Sequence, residues 1–136
     1  MLTDITDTIE LANGVTMPRL GLGTYKSAEG GDAERSVTAA LEFGYRSIDT
    51  ASLYGNEAGI GAAIAASGVP RSELFLTSKM WNDEQGFDTT LSAFERSIAR
   101  LGTSYLDLYL VHWPREQTHD TWRALERLYA EGAVRA

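Results

Sequence analysis

Phe87, Leu91, Phe94, Ile98 and Leu101 recur at steps of four, three, four and three residues, which lines them along one face of an α-helix. Gly102 follows directly and supplies the stop. The same logic predicts three further helices. One runs over Ala33 to Glu42, with Asp32 as cap, Val37, Ala40 and Leu41 inward, and Gly44 as its end. Another starts at an Asn56 cap, reaches about Ser67 and is closed by Gly68. The last spans about His119 to Glu131, with Trp122, Leu125, Leu128 and Tyr129 on its inner face. Short candidate strands separate the helices: Leu20 to Thr24, Arg46 to Thr50, Leu74 to Met80 and Tyr105 to His112. The last is nearly continuous in Leu, Tyr and Val, as suits a strand covered on both faces, although Asp107 interrupts it. Ahead of them, Thr8 to Leu11 and Val15 to Met17 flank Ala12-Asn13-Gly14, a hairpin pattern in which Asn-Gly supplies positive φ angles. Four consecutive strand-helix units predict an α/β fold with parallel strands and right-handed crossovers.

Composition narrows this to one unit. At 136 residues, 43% of them apolar, the chain has the size of one domain and can bury a core without covalent staples. It has no cysteine, which excludes disulfide scaffolds, cysteine nucleophiles and thiolate metal sites. The three prolines, Pro18, Pro70 and Pro114, all sit at expected element edges. Twelve basic against nineteen acidic residues leave a net charge of −7, which opposes attraction to nucleic acid or to an anionic membrane. Met1 to Glu10 lacks the basic and apolar regions of a leader, and no apolar run approaches the roughly 20 residues of a membrane span. The cytoplasm is therefore the expected compartment.

The polar residues that break the apolar pattern fall at one place in each unit. Thr24 follows the first of the four strands, Asp49 ends the second, Lys79 the third and His112 the fourth. In a parallel sheet all four share the carboxyl edge, where α/β folds build their sites. Tyr54 lies five residues beyond Asp49, on the loop that also carries Gly55-Asn56-Glu57. A phenol beside an ammonium, itself paired to a carboxylate, is a sensible proton donor to a carbonyl oxygen. Free tyrosine titrates near 10, and a general acid works best near ambient pH, so a drop of about 2 to 3 units is wanted. A close, partly desolvated lysine supplies it by favouring phenolate. His112 would hydrogen-bond the same oxygen. This set moves protons and has no source of electrons.

These residues carry a resemblance. Asp49-Thr-Ala-Ser-Leu-Tyr-Gly-Asn-Glu57, Leu20-Gly-Leu-Gly-Thr-Tyr25, Ser78-Lys-Met-Trp81 and Asp107-Leu-Tyr-Leu-Val-His-Trp-Pro114 look like the signatures of aldo-keto reductases. The resemblance implies a TIM-type (β/α)8 barrel that reduces aldehydes and ketones with NADPH, whose hydride supplies the missing electrons. It makes Tyr54 the proton donor, Lys79 and Asp49 its tuning pair, and His112 the residue that orients the carbonyl. Thr24 and Asp49 would lie against the nicotinamide riboside. Tyr25, Leu53, Trp81, His112 and Trp113 would line the substrate pocket. Members of that family are about twice as long, so residues 1–136 would hold one domain cut before strand five: the hairpin, four β/α units and half of the cofactor site.

Each assignment stands beside a plainer one. A lone Asp-Lys pair is usually structural, and His112 alone would be a satisfied strand-end histidine. Their joint spacing with Tyr54 reverses both. His119 belongs to a solvated loop, and seven residues between the two histidines, without converging ligands, do not make a metal site. Gly21-Leu-Gly23 lacks the third glycine and the lysine of phosphate loops and is expected to serve packing. Trp122 and Tyr129 share the spacing of Leu125 and are expected in the core. The alternative to a reductase is a non-catalytic half-barrel that associates with itself or with a complementary partner through the unpaired edges of its first and fourth strands.

Overall fold

The computed structural model describes residues 4–136, so Met1 to Thr3 of the opening segment lie outside the described residues. The hairpin comes first, with β1 (Thr8–Glu10) antiparallel to β2 (Thr16–Pro18) and Ile9 opposite Met17. Its turn differs from the expected one. The Gly14 amide donates to the Leu11 carbonyl and the Leu11 amide to the Val15 carbonyl, while Gly14 alone takes positive φ, at 83°. This is a three-residue loop with a glycine bulge, which asks no positive φ of Asn13. The freed Asn13 side chain reaches across the fold and donates to the Arg135 carbonyl at 2.8 Å.

Four parallel strands follow: β3 (Leu22–Gly23), β4 (Ser47–Asp49), β5 (Phe75–Met80) and β6 (Leu108–Val111), adjacent in that order. They alternate with α1 (Asp32–Glu42), α2 (Glu57–Ala66), α3 (Phe87–Leu101) and α4 (Thr118–Ala130), as the hydrophobic pattern predicts. The strands are shorter than the candidate stretches, because those stretches mark burial and run on past the paired backbone: Thr24 and Leu106 are fully buried yet outside the strands. Ile48, Leu76, Met80 and Tyr109 from the sheet meet Val37, Ile60, Phe94, Leu101 and Leu128 from the helices in one core. Gly61 lets α2 cross the end of α3, since a Cβ there would stand 2.6 Å from the Leu101 carbonyl oxygen.

Three sequence expectations need correction. Asp32 is the first residue of α1, not its cap: Gly31 precedes it and donates its amide to Glu34 Oε2 at 2.7 Å. Asn56 precedes α2 but makes no side-chain cap bond, because its amide has other partners. Trp122 and Tyr129 are not core residues; they are 58% and 50% exposed. Both flank a groove whose floor is Leu108, Leu110, Val111, Leu125 and Val134, on the side of β6 away from β5. The last described residues begin to pair there, with Leu106 bridging Val134 in parallel and the Tyr109 amide donating to Ala136. Beyond that, no described residue covers the groove.

Asp107, the residue that interrupts the fourth strand pattern, is fully buried. It pairs with Arg71 and Arg135, each at 2.8 Å, and accepts the Leu76 amide at 2.9 Å. It thereby ties the amino ends of β5 and β6 to the terminal segment, opposite the edge where Asp49 and Lys79 lie. Removing one member of a buried charge set leaves its partners uncompensated and costs more than the set itself contributes. Asp107→Asn is expected to lower unfolding free energy by roughly 3 kcal/mol in urea denaturation, and a loss below about 1 would contradict this account.

Candidate active site

The register of the sheet brings the charged residues together. Asp49 pairs with Thr77 across β4 and β5, and Lys79 lies two residues further along β5, so its side chain leaves the same face as that of Thr77. Its Nζ donates to Asp49 Oδ1 at 2.5 Å and to the Thr50 carbonyl at 3.0 Å. The lysine side chain is 14% exposed and the aspartate 42%, so the pair lies at the mouth with its cation the deeper member.

Tyr54 arrives on a single 3-10 turn, Ser52–Tyr54, which follows β4. The Tyr54 amide donates to Ala51, and Gly55, at φ 67°, reverses the chain into α2. The left-handed region is open to glycine at no steric cost, so this reversal needs that residue. The turn sets the Tyr54 ring centroid 5.2 Å from Lys79 Nζ. His112, one residue past β6, donates its amide to Met80. Its ring meets that of Tyr54 edge-on at 5.7 Å and that of Trp81 at 5.0 Å. The Tyr25 ring is 5.1 Å from Tyr54 on the other side.

Burial, and then the Lys79 cation, hold His112 below the ordinary histidine value, while Asp49 opposes them more weakly. The neutral imidazole is therefore the form present near pH 7. Its buried Nδ1 has no hydrogen-bond partner among the described residues.

Of the nine residues marked in the sequence, six form this cluster: Asp49, Tyr54, Lys79, His112, Trp81 and Tyr25. Thr24 is bonded to one of them. It is fully buried, and its amide and hydroxyl both donate to the Asp49 carbonyl at 3.0 Å. Leu53 and Trp113 stand exposed on the rim, the latter held by a hydrogen bond from Gln85 to its carbonyl.

The structure adds two groups that the sequence pattern did not mark. Asn56, fully buried, accepts the Thr50 hydroxyl and donates to the Thr24 and Ser27 carbonyls, locking the turn in which Lys26 takes φ 62°. Glu84 accepts the Ser52 hydroxyl at 2.5 Å and the Trp81 amide at 2.8 Å and pairs with Arg96. Burial raises its proton affinity, but the Ser52 and Trp81 donors and the Arg96 charge outweigh it, and the carboxyl titrates below its ordinary range. A signal for it exists in the sequence: a glutamate three residues after the start of a helical turn, as in a capping box.

The arrangement offers a phenol flanked by an ammonium, a neutral imidazole beside it and an aromatic rim. It can deliver a proton and a hydrogen bond to one polar atom, and none of its side chains carries a hydride.

Three comparisons bear on it. Residues 19–136 match the model of the Aldo/keto reductase family. A glyoxal reductase from Bacillus subtilis is 57% identical over 137 residues, covering all of this chain and 50% of the relative. Among solved structures, an aldo/keto reductase from Brucella melitensis superposes with a TM-score of 0.94 at 45% identity, covering the whole of this chain and 52% of that one. A Bombyx mori aldo-keto reductase in complex with NADP gives 0.89 at 34% identity, covering 98% and 50%. The chain thus spans about half the length of the relatives it matches.

Because the folded His112 holds its proton less tightly than an unfolded histidine, the unfolded chain binds more protons between the two midpoints. The stability this residue contributes is present above about pH 6.5 and is lost as pH falls below it. In an NMR titration the His112 ring should titrate below the ordinary histidine value. A His112 midpoint at or above that value would contradict the environment described.

Proposed function

Since the chain belongs to the aldo/keto reductase family, we propose that it is the proton-donating half of an NADPH-dependent reductase that converts aldehydes and ketones to alcohols. The observation that carries this reading is the single ammonium, Lys79, set between the Asp49 carboxylate at 2.5 Å and the Tyr54 ring at 5.2 Å. When bound, the reduced nicotinamide supplies hydride to the carbonyl carbon. The remaining work falls to the chain. As the carbonyl oxygen gains charge, Tyr54 gives it the phenolic proton, and solvent later restores that proton. Lys79 stabilises the negative charge left on the phenol oxygen, in a partly desolvated site where such a charge interacts strongly. Asp49 keeps the ammonium aimed. His112, neutral, donates a hydrogen bond to the same carbonyl oxygen. Tyr25 and Trp81, with Leu53 and Trp113 at the rim, form an aromatic and apolar pocket.

The residues present fit part of the cofactor. Asp49 commits Oδ1 to Lys79 while its side chain remains 42% exposed, so Oδ2 is available to a sugar hydroxyl. Thr24, with its hydroxyl on the Asp49 carbonyl, would set that aspartate rather than touch the riboside. The similarity to a relative named glyoxal reductase supports a small aldehyde or dicarbonyl as substrate class, and the neighbour in complex with NADP supports the phosphorylated cofactor.

The open groove between β6 and α4 favours a second reading, in which this face seats a second copy of the chain and the pair does not turn over. Size-exclusion chromatography with NADPH fluorescence titration separates the two: micromolar NADPH binding supports the reductase, and a dimer without binding supports the other. Within the reductase reading, NADPH consumption with glyoxal should fall by about 100-fold or more in Tyr54→Phe, with cofactor affinity unchanged, as expected when a general acid is removed. Full turnover in that variant would remove Tyr54 from its role.

A further inference from the structure

Two separate loops deliver the reacting side chains, and one carboxylate joins them. Ser52 lies in the turn that ends at Tyr54, two residues away. Glu84 closes the turn Asn82–Glu84, which follows Lys79 and Trp81 at the end of β5. Glu84 Oε2 accepts both the Ser52 hydroxyl, at 2.5 Å, and the Trp81 amide, at 2.8 Å. Ser52 Oγ also stands 3.2 Å from the Lys79 carbonyl, so the hydroxyl is held between the two loops. Arg96 on α3 anchors the other oxygen, Oε1, at 3.2 Å. The carboxylate is 14% exposed, and it touches none of Tyr54, Lys79 or His112 through its own side chain.

We propose that Glu84 is a positioning residue, which through Ser52 fixes the Tyr54 turn against the strand of Lys79, and through the Trp81 amide fixes the Trp81 ring against His112. The inference rests on the reductase reading above for its effect on rate, but not for its geometry. The reason to expect leverage is the length of the lever. A single 3-10 turn has one amide hydrogen bond of its own from Tyr54 to Ala51 and one from Gly55 to Ser52. The Ser52–Glu84 bond ties it to the β5 loop, and a charge-assisted hydroxyl bond is about twice as strong as a neutral one. Displacement of a proton donor by about 1 Å is enough to reduce rate strongly even when nothing touching the substrate has changed.

The alternative is that Glu84 only completes its own turn, accepting Trp81 as half of a capping box. The two differ in what Ser52 does. The test compares Glu84→Ala, Ser52→Ala, the double variant and Glu84→Gln in NADPH-dependent turnover of glyoxal, with Tyr54 and Trp81 ring resonances recorded on the same preparations. The positioning role predicts a kcat about tenfold lower in each single variant, with KM changed less than twofold. The double variant should be no slower than either single, because both remove one coupled interaction. Glu84→Gln, which keeps an acceptor oxygen, should recover most of the rate. Tyr54 and Trp81 resonances should shift in both alanine variants while those of Trp122 stay in place. Unmoved Tyr54 resonances in folded Ser52→Ala, or losses that multiply in the double variant, would overturn the proposal. If Glu84→Ala does not fold, Ser52→Ala alone decides on the same readouts. If the unsubstituted chain consumes no NADPH, the reductase reading fails, and the resonances still decide whether the clamp exists.

Discussion

An ammonium placed at the mouth of a parallel sheet, between a carboxylate on the neighbouring strand and a phenol on the following turn, is the constraint around which the site is organised. Lys79 can occupy that place only because β4 and β5 are parallel and in a register that sets Asp49 opposite Thr77. A shift of one residue would turn Lys79 to the other face of the sheet, toward the layer of Phe94 and Leu101 and away from Asp49. The register is in turn held by the apolar core on the helix-covered face, by Ile48 and Leu76 side by side and by Met80 beside Val111. The same packing that makes the sheet thus makes the ion pair, and burial of the lysine makes its charge effective.

The two ends of the sheet divide the work. At the amino ends, Arg71 and Arg135 converge on the fully buried Asp107, both of whose carboxylate oxygens are taken up by the chain. At the carboxyl ends, polar groups are left partly exposed and partly unsatisfied: Asp49 open to the mouth, the buried His112 Nδ1 without a partner among the described residues, Tyr25 and Trp113 in solvent. Satisfied buried charges hold a structure together. Unsatisfied ones at a concave edge are available to a ligand. The residues assigned to chemistry and those assigned to stability therefore separate by position as well as by type.

Much of this was legible along the chain, for a physical reason. A parallel strand covered on both faces is written as an apolar run, so a polar residue at its end stands out: His112 ends the run Leu108 to Val111, and Asp49 and Lys79 hold the corresponding place in the two shorter candidate strands before it. Helix faces were legible by their period, α3 most of all. What escaped has equally physical causes. Trp122 and Tyr129 share the period of Leu125, and periodicity does not say whether a covering layer is present. Asn56 has the residue type of a cap, but a buried amide that donates to two carbonyls of a distant loop is a tertiary fact. Glu84 and Ser52 are 32 positions apart in loops without periodicity, and only the register of β4 against β5 brings them within 2.5 Å.

The most direct test of the central arrangement looks at the ammonium itself. The chain has two lysines, Lys26 and Lys79, so the side-chain Nζ region of a proton–nitrogen NMR spectrum is simple to assign, with exposed Lys26 as internal reference. The account predicts a slowly exchanging Lys79 ammonium signal that is lost or moved in Asp49→Asn and displaced by removal of the ring in Tyr54→Leu. A Lys79 signal that exchanges as fast as that of Lys26, and that neither substitution alters, would contradict it.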